Sequence, residues 1–157
     1  MRAAAVYLDA GRAETSRARL AALAHEHAAD RFLRVHLAEQ AELDGDAPAA
    51  LAAFRALVAE SEDAEVRARA AALARELGLD AEAREHFEAA ERILGRAVDA
   101  GEVYTLGALA RLYAEAGVKL EEALELAQRN LEAVGDAHAR ETLDEVKAKL
   151  ADGRETE

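Results

Sequence analysis

The sequence predicts an all-α chain, a solenoid of stacked helical hairpins, on three observations. Alanine, leucine, glutamate and arginine dominate its 157 residues, and these lose least free energy in a helix. Apolar residues recur at spacings of three and four, and no segment alternates with the period of two that marks a strand. Glycines punctuate the periodic stretches at a nearly constant interval, the mark of one structural unit used repeatedly.

Taken from the N-terminus, residues 1–29 read as a partial first repeat. Gly11 closes its first helix, and the residues that should precede Ala3 are missing, so the sequence looks cut from a longer repeat protein. Residues 30–62 form the next unit. Asp30 supplies an acceptor for orphan amides at a helix start, Gly45 ends that helix, and Asp46 with Pro48 opens the second, where a missing amide hydrogen costs little. Residues 63–100 begin at Asp63 with the stripe Val66, Ala70, Leu73, Ala74 and Leu77, stop at Gly78 and restart at Asp80. The interval from Gly78 to Gly117 is 39 residues rather than 33. The second helix is therefore expected to run long, through Phe87, Ile93, Leu94 and Val98 toward Gly101. Residues 101–135 carry the stripe Leu120, Leu124, Leu126, Leu131 and Val134, with Gly117 and Gly135 as stops. Asp136 starts a capping helix over 136–151 with a polar outer face. Residues 152–157, including Gly153, read as a frayed polar tail. About nine helices with short turns result, and short connections make neighbours antiparallel.

The repeat rests on more than glycine. Gly45 and Gly78 are 33 residues apart, as are Phe54 and Phe87, and Gly11 precedes Gly45 by 34. Ala50, Phe54 and Leu57 follow Gly45 at the offsets at which Ala83, Phe87 and Ala90 follow Gly78; Ser16, Leu20 and Leu23 hold those offsets after Gly11. Seven residues ahead of the glycines stand Ala4, Ala38, Ala71 and Ala110. Alanine matches are cheap in a chain that is about a quarter alanine, but only three phenylalanines exist and two share one repeat position. One hairpin cannot bury both of its apolar faces, so similar hairpins stack, and small residues at the crossings let backbones approach.

The segment Leu109-Ala110-Arg111-Leu112-Tyr113-Ala114-Glu115-Ala116-Gly117, followed by Leu120-Glu121-Glu122-Ala123-Leu124, resembles a tetratricopeptide repeat, and so does Gly45 to Phe54. That family places a large residue, Leu-Gly or Leu-Ala and an aromatic on the first helix, then Ala, Phe or Tyr and Ala on the second. The resemblance covers nearly the whole chain. It departs around Gly78, where alanines replace larger residues, and between Gly117 and Ala123, where one residue is extra. The resemblance implies a right-handed superhelix whose first helices line a concave groove, and a non-catalytic role as a protein–protein interaction scaffold.

Composition sets the outer bounds. Hydrophobic residues make up 52% of the chain but aromatics only 4%, so the core is built from alanine, leucine and valine. There is no cysteine, which excludes disulfides, thiolate metal sites and thiol nucleophiles. No apolar run reaches the roughly 18 residues of a membrane span, and the N-terminus lacks the pattern of a signal peptide. A cytoplasmic location is expected, with a processed periplasmic or secreted chain as the alternative. Twenty basic against 32 acidic residues, a net charge of −12, disfavours nucleic acid and anionic membrane as partners.

No phosphate-binding loop, dinucleotide fingerprint, His-Glu-x-x-His or nucleophile elbow is present, so no enzyme activity and no cofactor are expected. His36 with Glu39 is an i,i+3 pair that a metal could use with help from elsewhere; a solvated histidine beside a glutamate is the plainer reading. The family resemblance projects Phe32, Val35, His36 and Glu39 from one unit into the groove, Arg69, Ala72 and Arg75 from the next, and Tyr104, Ala108, Arg111 and Glu115 from the third. On that projection His36, Glu39, Arg69, Arg75, Tyr104 and Arg111 are the candidate partner-binding residues. Arg69, Arg75 and Arg111 offer charge to carboxylates of a peptide or protein partner, and Tyr104 an apolar anchor. The competing reading pairs these arginines with Glu76, Glu115 and their neighbours on the helix surface. A second functional expectation is self-association through exposed repeat ends at Val6, Tyr7 and Leu8.

Overall fold

Seven α-helices and one short 3-10 turn run through the residues that the computed structural model describes, 30–155 together with Ala22, Leu23, His27 and Ala29, and no strand occurs among them. The helices are α1 (Arg31–Leu43), α2 (Ala47–Glu60), α3 (Ala64–Glu76), α4 (Asp80–Asp99), α5 (Leu106–Ala116), α6 (Leu120–Val134) and α7 (Ala137–Glu155), with the 3-10 turn at Val103–Thr105 before α5. Apart from the four residues just named, the expected partial repeat at 1–29, with Gly11, His25, Val6, Tyr7 and Leu8, lies outside the described residues. The chain divides into two compact units. Among the described residues, the first holds those up to Glu62 with Arg69–Ala83, and the second holds Asp63–Ala68 and those from Arg84 on.

The same device ends the first helix of each hairpin among the described residues. After α1 the amide of Gly45 donates to Glu42 O at 3.0 Å and that of Asp46 to Ala41 O at 2.9 Å. The pattern repeats at Gly78 and Leu79 after α3, and at Gly117 and Val118 after α5. These bonds satisfy carbonyls that the helix leaves open, and they need a left-handed residue at the glycine. Gly45, Gly78 and Gly117 accordingly have φ of 78°, 72° and 68°. Starts are equally regular. Asp30, Asp46, Asp63 and Asp136 each accept a backbone amide two or three residues on, at 2.8–3.2 Å. Asp80 differs: it is the first residue of α4 rather than its cap, where its carboxylate meets the positive end of the helix dipole.

Within the first unit α1 and α2 pack as an antiparallel hairpin. Arg34 near the start of α1 reaches Glu60 at the end of α2 and holds its carboxyl below the usual range, chiefly by donating a hydrogen bond. Leu33, Leu51, Leu57 and Phe54 fill the interior, Phe54 at 1% exposure. In the second unit α5, α6 and α7 pack on one another around Leu109, Leu112, Tyr113, Leu126, Leu143 and Val146. Phe87 packs against this cluster, with its ring 6.3 Å from that of Tyr113. Phe54 and Phe87 are each the eighth residue of their helix. The alanines seven residues before the glycine, Ala38, Ala71 and Ala110, and those after it, Ala50, Ala83 and Ala123, are all at most 5% exposed.

The two irregular intervals have local explanations. Helix α4 has 20 residues where α2 has 14, which matches the six-residue excess ahead of Gly117. The extra residue between Gly117 and Ala123 is absorbed at Lys119, the N-cap of α6, which adopts φ 50° and ψ 38°. This conformation is strained for a residue with a Cβ, and side-chain contacts offset it. Lys119 Nζ donates to Glu91 Oε1 at 2.6 Å and lies 5.0 Å from the centroid of the Tyr113 ring. The Tyr113 hydroxyl donates to the same Glu91 oxygen at 2.9 Å. At the C-terminus the expected tail is the last turn of α7, which continues through Gly153 to Glu155. A glycine in a helix costs only about 1 kcal/mol, too little to stop this one without a left-handed cap.

Two predictions follow from this packing. Ala38→Leu, at a crossing with no exposed surface, should cost about 1–3 kcal/mol, while Ala52→Leu on the exposed face of α2 should stay within about 0.5 kcal/mol; denaturant unfolding of the two variants measures the difference. Burial, then the bond to Glu91, pushes the Tyr113 phenol up to about 12, from an ordinary value near 10. Its native state holds the proton more tightly than the unfolded chain, so stability is full below about pH 10 and falls as pH rises toward 12. Tyr113→Phe should flatten that alkaline loss and cost about 1 kcal/mol at neutral pH; equal alkaline slopes in both proteins would contradict the assignment.

Candidate functional site

In the first unit the face presented by α1 and α3 gathers four ionisable side chains. His36 Nδ1 lies 2.9 Å from Glu39 Oε2, one helical turn along α1. From α3, Arg69 Nη1 donates to Glu42 Oε1 at 3.0 Å and Nη2 comes within 4.0 Å of Glu39 Oε1. Arg69 thus meets two carboxylates of α1, the nearer being Glu42, 27 residues away in sequence. All four side chains keep a quarter or more of their surface in solvent, so the cluster is a screened surface network worth little to stability. Phe32 stands out beside it at 67% exposure, and Ala72 is half-buried on α3. Arg75 lies exposed in the last turn of α3, where a cation suits the negative end of the helix dipole.

For metal binding the geometry is unhelpful. His36 and Glu39 are hydrogen-bonded to each other, and the Arg69 guanidinium approaching Glu39 opposes a cation. Among the described residues no group of three or more histidine, cysteine, aspartate or glutamate side chains is placed to hold a metal ion. None of the described helices is long and apolar enough to cross a membrane.

The second unit carries the more shaped feature, an open hollow of about 120 Å³ lined by Tyr104, Ala108, Arg111, Asn130, Asp136 and His138. The 3-10 turn before α5 lifts Tyr104 onto the rim, 82% exposed. Arg111, two turns along α5, is half-buried in the wall and directs Nη1 at Nε2 of His138, the second residue of α7. Asn130 of α6, 6% exposed, forms the floor. Its amide can lie there because Gly107 has no side chain: a Cβ at 107 would sit 2.7 Å from Asn130 Nδ2. Glu115 is exposed at the far end of α5.

The structure therefore brings the six candidates together in two groups: His36, Glu39, Arg69 and Arg75 in the first unit, Tyr104 and Arg111 in the second. Asn130, Asp136 and His138 were absent from the sequence-based site. A sequence signal for His138 does exist, since it stands 27 residues beyond Arg111, the separation that also joins Glu42 to Arg69 and Arg55 to Glu82.

No protein-family model matches the sequence, and no curated protein does. Among solved structures the chain is similar to a crystal structure of a tetratricopeptide repeat protein from Parabacteroides merdae, with a TM-score of 0.51 and 16% sequence identity. The match covers 96% of this chain and 59% of that one, so this chain spans about three fifths of its neighbour's length. At that identity the likeness is one of fold. It agrees with the all-helical hairpins described above and places the chain's architecture in the tetratricopeptide-like α-solenoid class.

Proposed function

We propose that this chain is a non-catalytic scaffold that holds a segment of a protein partner against the first helices of its hairpins. The observation that carries the reading is Tyr104, an aromatic ring 82% exposed at the edge of a hollow that also presents Arg111, Asn130 and His138. Aromatic and arginine side chains at a concave spot are the groups that most often dominate binding energy at protein interfaces, and a tyrosine supplies apolar area and a polar tip at low entropic cost. His36, Glu39, Arg69 and Arg75 offer a second, polar contact on the first unit, suited to the rim of an interface rather than its centre. Tetratricopeptide-like hairpin folds commonly serve protein interaction, which supports the same direction.

A peptide array of mixed acidic and apolar 12-residue segments, probed with the labelled chain, tests this. Tyr104→Ala should weaken the captured peptides roughly 30-fold, the effect of losing about 2 kcal/mol at an anchor, with helical circular dichroism unchanged. Arg111→Glu should remove acidic peptides from the captured set. If both variants capture the same peptides with the same strength as the parent chain, the assignment of this face is wrong.

A further inference from the structure

Four large apolar residues stand exposed in the described part of the first unit, and three of them sit at its turns. Leu43 is 68% exposed, Leu77 37% and Leu79 40%, beside the left-handed glycines Gly45 and Gly78. The turns do not require them all. Each cap is made by backbone amides donating to backbone carbonyls, and the glycine meets its one conformational demand. Leu43 is the last residue of α1 and Leu77 the first beyond α3, places where a polar side chain would serve the helix end equally well. Leu79 follows its glycine, where an apolar residue often touches the helix just ended, yet much of it stays in solvent. Both turns lie on one edge of the unit. The short connections on either side of α2 reverse the chain twice, so α1 and α3 run the same way, and Arg69 reaching Glu42 and Glu39 sets them side by side. Packed helices are about 8–10 Å apart, which is the spacing of the two turns along that edge.

The rim of this edge is acidic. Asp44, Asp46, Glu76 and Asp80 are exposed around the leucines, and residues 43–46 and 76–80 contain no basic side chain. Arg75 comes just before them on α3. Asp44 accepts from Gln40 Nε2 at 3.0 Å and Asp46 from the Ala49 amide at 3.1 Å, bonds that need only one of the two oxygens of each carboxylate. We propose that this edge docks a basic amphipathic helix of a protein partner, at a surface separate from the hollow beside Tyr104. Apolar residues seven apart on such a helix are about 10 Å apart along its axis, which matches the spacing of the turns. They cover Leu43, Leu77 and Leu79, and flanking lysines or arginines face the four carboxylates. The apolar contact supplies affinity, and the opposed charge selects the partner and speeds its approach. Charge also decides against other occupants. A second copy of a chain of net charge −12 would set carboxylate against carboxylate, and an anionic membrane would be repelled.

The test uses a fluorescein-labelled peptide of leucine and lysine, two heptads long with its leucines on one helical face. Anisotropy against the whole chain measures binding, and the amide signals of Gly45 and Gly78 in nuclear magnetic resonance report where it occurs, without any variant. Saturable binding is expected, weakened roughly five-fold between about 0.05 M and 0.2 M salt. Leu43→Gln with Leu77→Gln should weaken it roughly ten-fold, and Glu76→Gln with Asp80→Asn roughly three-fold, with helical circular dichroism unchanged. A peptide of the same composition with its leucines scattered around the helix should bind roughly ten-fold less tightly. Tyr104→Ala should leave all of this as it is. The proposal is overturned if the Gly45 and Gly78 signals stay still at saturation, or if the leucine variants bind as tightly as the parent chain. Equal binding of the scattered peptide overturns it too, since charge alone then accounts for the attraction. So does sedimentation that shows the parent chain dimerising through these leucines. Binding that is lost with Tyr104→Ala instead assigns the peptide to the hollow and removes the edge.

Discussion

Two helices can approach to backbone distance only where neither carries more than a methyl group at the crossing, and that condition recurs through this chain. Ala38 and Ala50, Ala71 and Ala83, and Ala110 and Ala123 are almost wholly buried, each pair flanking a glycine-ended turn. Close crossings leave little room for aromatic rings, which fits a core that uses leucine as its filler and few large side chains. They also fix axial register where the flanking residues are large, because a shift of one position would bring in Leu37 or Glu39 at Ala38, and Leu109 or Arg111 at Ala110. The left-handed glycines and the aspartate caps then act on helices whose spacing is already decided. Phe54 and Phe87 fall at equivalent places for the same reason: each follows its turn at a distance set by the crossing alanine.

Charge plays a lesser part. The cross-helix pairs of Arg34, Arg55 and Arg69 are solvated on at least one side, so solvent screens them and they add little to stability. Their use is orientation, since they tie long side chains down along the faces of neighbouring helices and leave the intervening surface open.

Much of the fold was legible because its determinants are local and repeated. Glycine intervals, aspartates at helix starts and three-four spacing together gave the hairpins, and the long interval before Gly117 gave the length of α4. What escaped was decided by single residues or by distant partners. Asp80 lies one place further into its helix than an aspartate cap would, and the final turn of α7 persists through Gly153 because exposed helix ends tolerate glycine. The candidate site was legible in part. Tyr104 and Arg111 line one hollow, but the family pattern says nothing of Asn130 or His138, which enter from later helices. Arg69 meets Glu42 of α1, a carboxylate 27 residues away that only the three-dimensional packing brings within reach.

Lys119 has a consequence of its own. Inserting one residue ahead of a helix ordinarily turns every later side chain by about 100° around the axis, which would swing Leu126 and Asn130 out of the interior. Here the left-handed step at Lys119 takes up the surplus length before α6 begins, and the helix keeps its orientation. Tolerance to a change in loop length is thus bought at one backbone position, and its stability is borrowed from a glutamate and a tyrosine on other helices.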